Sequence, residues 1–182
     1  MGSSIPQQIE TIEQLKSFVE HLESKKYSSI WWVTDIDGTL VYVGKQFQPV
    51  EGEVTRKVFQ ELSESVSRVM GLTKMSALYA GKVLRSLEQQ QIVFKDYDFH
   101  STPFILSDGK VDTFDRNILY AKNPKGIALV NYLEDFSQRG GILPDAIIFS
   151  DDVNDNCVSV LHEMRLAYPS IKVISAYYAR ME

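Results

Sequence analysis

Between residues 6 and 24 the apolar positions Ile9, Ile12, Leu15, Phe18, Val19 and Leu22 recur at helical spacing with polar residues between them. This predicts an amphipathic helix ahead of the core. The run Ile30-Trp31-Trp32-Val33-Thr34 is apolar and β-branched and stops at Asp35 and Gly38, the pattern of a buried strand entering a loop. Val54, Val58, Phe59 and Leu62 predict a helix from Glu53 to about Val66, followed by a strand over Ser67 to Leu72 and helical spacing over 74–90.

Past Gln91 the period changes. Ile92-Val93-Phe94, Phe104-Ile105-Leu106 and Asn117-Ile118-Leu119-Tyr120 are short strand-like runs around a Ser107-Asp108-Gly109 turn signal, which predicts a β-rich insertion over 92–120. Asn123-Pro124 predicts a helix start, with Asn as cap and Pro in the first turn, and Gly140-Gly141 predicts its end. A strand at Ala146 to Ser150, a helix around Cys157 to Leu166 and a strand at Lys172 to Ala176 complete the pattern. Buried strands alternating with helices imply an α/β fold, a mostly parallel sheet with helices on both faces. Ligands of such sheets bind beyond the carboxyl ends of the strands, and Asp35, Thr73 and Asp151 each follow a predicted strand.

With 182 residues, 44% apolar and 24% charged, the chain fits one globular domain over 1–182. The net charge of −5 disfavours generic nucleic-acid binding, and no block of Lys and Arg compensates it. One cysteine, Cys157, excludes an internal disulfide framework and a cysteine metal site, and as a residue of a predicted helix it is expected to be buried. No basic segment leads into an apolar run near the N-terminus and no membrane segment is apparent, so a cytoplasmic location is expected; Gly2-Ser3-Ser4 could also be a scar replacing a trimmed leader. Trp31 and Trp32 are expected to pack opposite faces of the first strand, His100 to be an ordinary loop residue, and Tyr177-Tyr178 to close the sheet edge.

The candidate chemistry begins at Val33-Thr34-Asp35-Ile36-Asp37-Gly38-Thr39-Leu40. Asp35 and Asp37 stand two residues apart just past the predicted strand. Gly38 lets the backbone turn close to a phosphate, and Thr39 supports the loop by hydrogen bonding. The segment resembles the first motif of the haloacid dehalogenase superfamily, an apolar strand followed by Asp-x-Asp-Gly-Thr-Leu. By that resemblance the fold is Rossmann-like and the activity that of a phosphatase, with Asp35 attacking phosphorus and Asp37 protonating the leaving oxygen and then activating water. Thr73, in Met70-Gly71-Leu72-Thr73-Lys74, corresponds to the second motif, a phosphate-binding hydroxyl, with a simple helix cap as the other reading.

Lys125, in Asn123-Pro124-Lys125-Gly126, corresponds to the third-motif lysine, with Lys122 as the alternative and a plain surface lysine as the other reading. A lysine at a helix start opposes the helix dipole, which an anionic partner would explain. Ser150-Asp151-Asp152-Val153-Asn154-Asp155 corresponds to the acidic fourth motif, with Asp151 as its first acid and either Asp152 or Asp155 as its second; carboxylates also favour helix entrances. Dense carboxylates call for a hard cation, and Mg²⁺ is the natural candidate; the resemblance implies Asp35, the Asp37 carbonyl, Asp151 and Asp152 as its ligands. The resemblance implies hydrolysis of a phosphorylated small molecule or macromolecule. A catalytically slow binding or effector module and a phosphotransferase are the alternatives. The roughly 30 residues between the first two motifs leave no room for an independently folded cap, so the cleft is expected to be open, with the 92–120 insertion as a small lid.

Overall fold

The computed structural model describes residues 5–95, 102–105 and 110–180. The strand expected at residues 30–34 is β2, Ile30–Thr34, buried along its whole length. It lies at the centre of an eight-stranded sheet, which is built from β1 (Gln7–Ile9), β2, β5 (Arg68–Thr73), β6 (Thr102–Ile105), β7 (Val111–Asp115), β8 (Ile118–Tyr120), β9 (Ala146–Asp151) and β10 (Lys172–Tyr178). The order is β1-β10-β9-β2-β5-β8-β7-β6. The pairs from β1 to β8 are all parallel, and only β8–β7 and β7–β6 are antiparallel. A separate two-stranded ribbon, β3 (Val41–Tyr42) with β4 (Gln48–Pro49), stands just after the loop that leaves β2.

Alternation along β2 explains the two layers that cover the sheet. Ile30 and Trp32 belong to one core, with Leu15, Val19 and Leu22 of α1 (Leu15–Ser24), Val58, Phe59 and Leu62 of α2 (Glu53–Ser65), and Val83 and Leu87 of α3 (Ala80–Gln89). Trp31 and Val33 belong to the other, with Leu129 and Leu133 of α4 (Lys125–Gln138) and Cys157, Val160 and Met164 of α5 (Asn154–Ala167). The two tryptophans therefore pack opposite faces, because successive strand side chains point to opposite sides. The expected α/β architecture, a mostly parallel Rossmann-like sheet with helices on both faces, is the fold observed. No helix among the described residues is long and apolar enough to cross a membrane.

Several expected elements differ. The helix expected over 6–24 is a strand, β1, then a 3-10 turn at Ile12–Gln14 and α1. Ile9 and Ile12 are buried as predicted, but Gln7, Gln8 and Ile9 pair with Ala176, Tyr177 and Tyr178, supplying a ladder that a helix would leave unmade. Hence β1, not the tyrosine pair, closes this edge. Ile92 and Phe94 are buried and Val93 is half exposed, yet they form no strand. Within the stretch expected as a β-rich insertion, β8 pairs with β5 inside the parallel sheet, and the β6–β7 hairpin extends the same sheet. Asn123 does not cap α4. Its side-chain amide donates to Asp112 at 2.9 Å, and Pro124 occupies the cap position. The Ser107-Asp108-Gly109 turn and His100 lie outside the described residues.

Candidate active site

Three neighbouring strand ends assemble the site. Register pairs Thr34 with Gly71 of β5 on one side and with Ser150 of β9 on the other, so the residues that follow emerge at one edge. The Asp35 backbone N–H donates to the Ser150 carbonyl at 2.8 Å, and Trp32 Nε1 and Ser150 Oγ link Trp32, Ser150 and Thr34 in a buried chain. Asp35 thus leaves β2 on a backbone tied to β9. The chain then turns sharply, the Ile36 carbonyl accepting from Leu40 and Val41 at 3.0 and 3.1 Å. Gly38 sits at φ +86°, and a Cβ there would stand 2.3 Å from Asp152 Oδ2. Glycine is required twice over, for the backbone conformation and for the approach of that carboxylate.

Lys125 is the electrostatic centre. Its Nζ donates to Asp35 Oδ1 at 2.7 Å and to Asp151 Oδ2 at 2.6 Å, and only 1% of the residue is exposed. Thr39 Oγ1 donates to the second Asp35 oxygen at 2.9 Å. Asp151, at the end of β9, also accepts from the Val153 N–H at 2.9 Å and from Asn156 Nδ2 at 3.1 Å. Asp35, Asp151 and Asp152 each offer a carboxylate oxygen within 4.8 Å of the others.

Burial is the largest influence on these groups. It pushes the Asp35 carboxyl from 3.8 up to about 7, with Lys125 opposing and Asp151 adding to the rise. Burial likewise raises Asp151 against the pull of Lys125. For Lys125 burial favours the neutral amine, but the two carboxylates outweigh it and hold the ammonium charged above the ordinary lysine value. One buried cation between two buried carboxylates, with a third carboxylate beside them, leaves excess negative charge in a poorly solvated place. All-oxygen donors of this kind suit a hard divalent cation, which would bind the ionised carboxylates and reverse the rise.

The other expected residues are distributed unevenly. Asp152 is in the group, whereas Asp155 is exposed in the first turn of α5. Lys122 is exposed, and its backbone N–H donates to Asp112. The Asp37 side chain is exposed, stands outside the three-carboxylate group and accepts from the Val43 N–H at 3.0 Å. Thr73 is buried at the end of β5, its Oγ1 accepting from the Met75 N–H at 3.1 Å, and among the described residues its own proton has no acceptor. Cys157 is buried, and burial pushes its thiol up to about 12, so it is a packing residue.

Two residues escaped the sequence reading. Asp112, fully buried in β7, accepts from the N–H groups of Lys122 and Asn123 and from the Asn123 amide, holding the turn that precedes Lys125. Arg180 donates to Asp152 Oδ2 at 3.3 Å. It stands two residues beyond β10 and four beyond the end expected for that strand, so the strand-end rule that singled out Asp35, Thr73 and Asp151 did not reach it.

Compared with known families, residues 39–182 match the one described as DUF2608, protein of unknown function. The chain belongs to the DUF2608 family. The DUF2608 match takes in Lys125, Asp151, Asp152 and Arg180 and begins after Asp35 and Asp37. No curated protein matches the chain. Among solved structures, pantothenate synthetase from Thermus thermophilus is similar at 8% identity and a TM-score of 0.35, over 97% of this chain and 63% of that one. The DUF2608 chain thus spans less than two thirds of that protein's length.

Proposed function

We propose that the protein is a magnesium-dependent phosphate-monoester hydrolase of the haloacid dehalogenase type. The observation that carries this reading is the Lys125 ammonium bridging Asp35 and Asp151 while Thr39 holds the other Asp35 oxygen. One Asp35 oxygen attacks phosphorus, the bond to the leaving oxygen breaks, and Asp37 gives that oxygen its proton. Asp37 then takes a proton from water, whose oxygen attacks the aspartyl-phosphate. The bond between phosphorus and Asp35 breaks, releasing orthophosphate and restoring the Asp35 carboxylate and the protonated Asp37 carboxyl. Asp37 is exposed and two residues from Asp35; its Oδ1 accepts from the Val43 N–H, and Oδ2 carries the proton for the leaving group.

Asp35, Asp151 and Asp152 would hold Mg²⁺, which supplies charge stabilisation of the transferring phosphoryl group. Lys125 neutralises part of the charge that Asp35 and a phosphate bring together, and Thr73 offers a hydroxyl donor from the next strand end. The substrate is a phosphorylated small molecule or macromolecule.

The test is hydrolysis of an aryl phosphate by wild type, Asp35→Asn and Asp37→Asn, with magnesium and with chelator. Turnover should require Asp35 and metal, and Asp37→Asn should lose about 100- to 10,000-fold. Activity retained in Asp35→Asn would overturn the mechanism. Magnesium binding without turnover on a broad phosphate panel would leave a binding module instead, and phosphate delivered to an alcohol rather than water would identify a phosphotransferase.

A further inference from the structure

A cavity of about 570 Å³ adjoins the carboxylate group, bounded by the β3–β4 ribbon and the ends of β1 and β10. Asp152 is common to both, and Tyr42, Glu51, Tyr177, Tyr178 and Arg180 form much of the remaining wall. The volume is far larger than a phosphate needs and falls in the range of small-molecule sites, about 300–1,000 Å³.

Arg180 is the only cationic side chain among the described residues of this wall. Its guanidinium lies over the Tyr42 ring, 4.8 Å from the centroid, and it donates to the Tyr42 hydroxyl and to Asp152 Oδ2. The other Asp152 oxygen is 3.5 Å from Thr39 Oγ1, which in turn donates to Asp35. The guanidinium therefore stands one carboxylate away from the reacting group. Its bond to Asp152, at 3.3 Å, is long for a charge-assisted contact and inexpensive to give up. A cation bound through Asp152 would compete for that carboxylate and repel the guanidinium, leaving its fork of donors to the cavity.

Among the described residues of this wall, Asp152 is the acid that Arg180 pairs with. Glu51 is already engaged, its Oε2 accepting from the Ile12 N–H at 2.6 Å and from the Tyr178 hydroxyl at 2.5 Å, and Glu10 is exposed to solvent.

We propose that this cavity receives the leaving group and that Arg180 selects phosphate monoesters bearing a second anionic group, carboxylate or phosphate, a few bonds from the reacting phosphorus. The selection rests on the hydrolase reading, but its test does not depend on turnover. Non-hydrolysable phosphonates are titrated calorimetrically into the full chain at saturating magnesium: propylphosphonate, 3-phosphonopropionate and ethylene-1,2-diphosphonate. A hydrogen-bonded charge pair supports a preference of about 10- to 100-fold for an anion-bearing ligand over propylphosphonate. That preference should fall toward unity in Arg180→Gln and be partly kept in Arg180→Lys, which retains the charge without the fork. The two anionic ligands tell a carboxylate preference from a phosphate preference.

Equal binding of all three phosphonates by wild type overturns the selection, as does a preference that survives Arg180→Gln. If none binds, the phosphate site itself fails along with it. Selective binding by a protein that turns over no phosphate ester overturns the hydrolase reading and leaves Arg180 as the selector of a binding site.

Discussion

At the scale of single residues, Lys125 sets the balance of the site. Replacing it with Met leaves the buried carboxylates of Asp35 and Asp151 without their shared cation. Breaking such a buried pair costs about 3–5 kcal/mol, so the urea midpoint of metal-free Lys125→Met should fall well below wild type, and an unchanged midpoint would show the pairing to be dispensable. Asp35 gives a sign that can be checked. Its carboxyl is raised from 3.8 to about 7, so the folded state favours the protonated form. The stability this lends is present below 3.8 and is lost as pH rises through about 7. In chelator, the melting temperature of wild type relative to Asp35→Asn should decline across that interval, and magnesium should reduce the decline by favouring the ionised carboxylate. Gly38→Ala combines a positive φ with a Cβ 2.3 Å from Asp152 Oδ2. The backbone alone costs about 1–2 kcal/mol, and displacement of Asp152 should weaken magnesium binding measured by titration.

At the scale of elements, α4 has to bring Lys125 in while packing tightly on α5. The next residue, Gly126, makes this possible: a Cβ there would lie 2.2 Å from the Ser159 carbonyl oxygen, and its N–H donates to Ser159 Oγ at 3.0 Å. Gly126→Ala should therefore push the helices apart and lower stability by about 1–3 kcal/mol, read as a drop in the urea midpoint; unchanged stability would mean that the helices yield freely. What could be read in advance follows the same physics. The strands β2, β5 and β9 are buried on both faces and announce themselves as apolar runs, and Asp35, Asp37, Gly38 and Thr39 fall in one contiguous stretch at a strand end. β1 was hidden because Ile9 and Ile12 are three apart, a spacing helices share, and its strand character comes only from pairing with β10. β7 was hidden because Asp112, a buried residue within it, is charged and serves the turn before Lys125. Ile92 and Phe94 show the opposite failure, an alternating burial pattern with no ladder beside it. Arg180 reaches Asp152 across 28 positions, a relation no local pattern encodes.

At the scale of the molecule, the end of β10 supports both the sheet and the cavity beside the site, and β1 is what keeps it in place. Gln7, Gln8 and Ile9 pair with Ala176, Tyr177 and Tyr178, the Ile9 carbonyl accepts from the Ala179 N–H at 2.9 Å, and Ile9 is 2% exposed. Burying one such side chain contributes about 1.5–3 kcal/mol. Removing residues 1–10 strips β10 of its outer partner and takes Glu10 from the cavity wall, while α1 and the pairing of β10 with β9 remain. The truncated protein should melt lower than the full chain, and because an uncovered strand edge is a template for other chains, it should associate with rising concentration in sedimentation velocity. Magnesium binding should survive, since Asp35, Asp151 and Asp152 are held by β2 and β9, whereas the phosphonate preference assigned to Arg180 should weaken as the end of β10 loosens. Loss of magnesium binding along with the preference would mean that the edge strand supports the whole site and not only its Arg180 side.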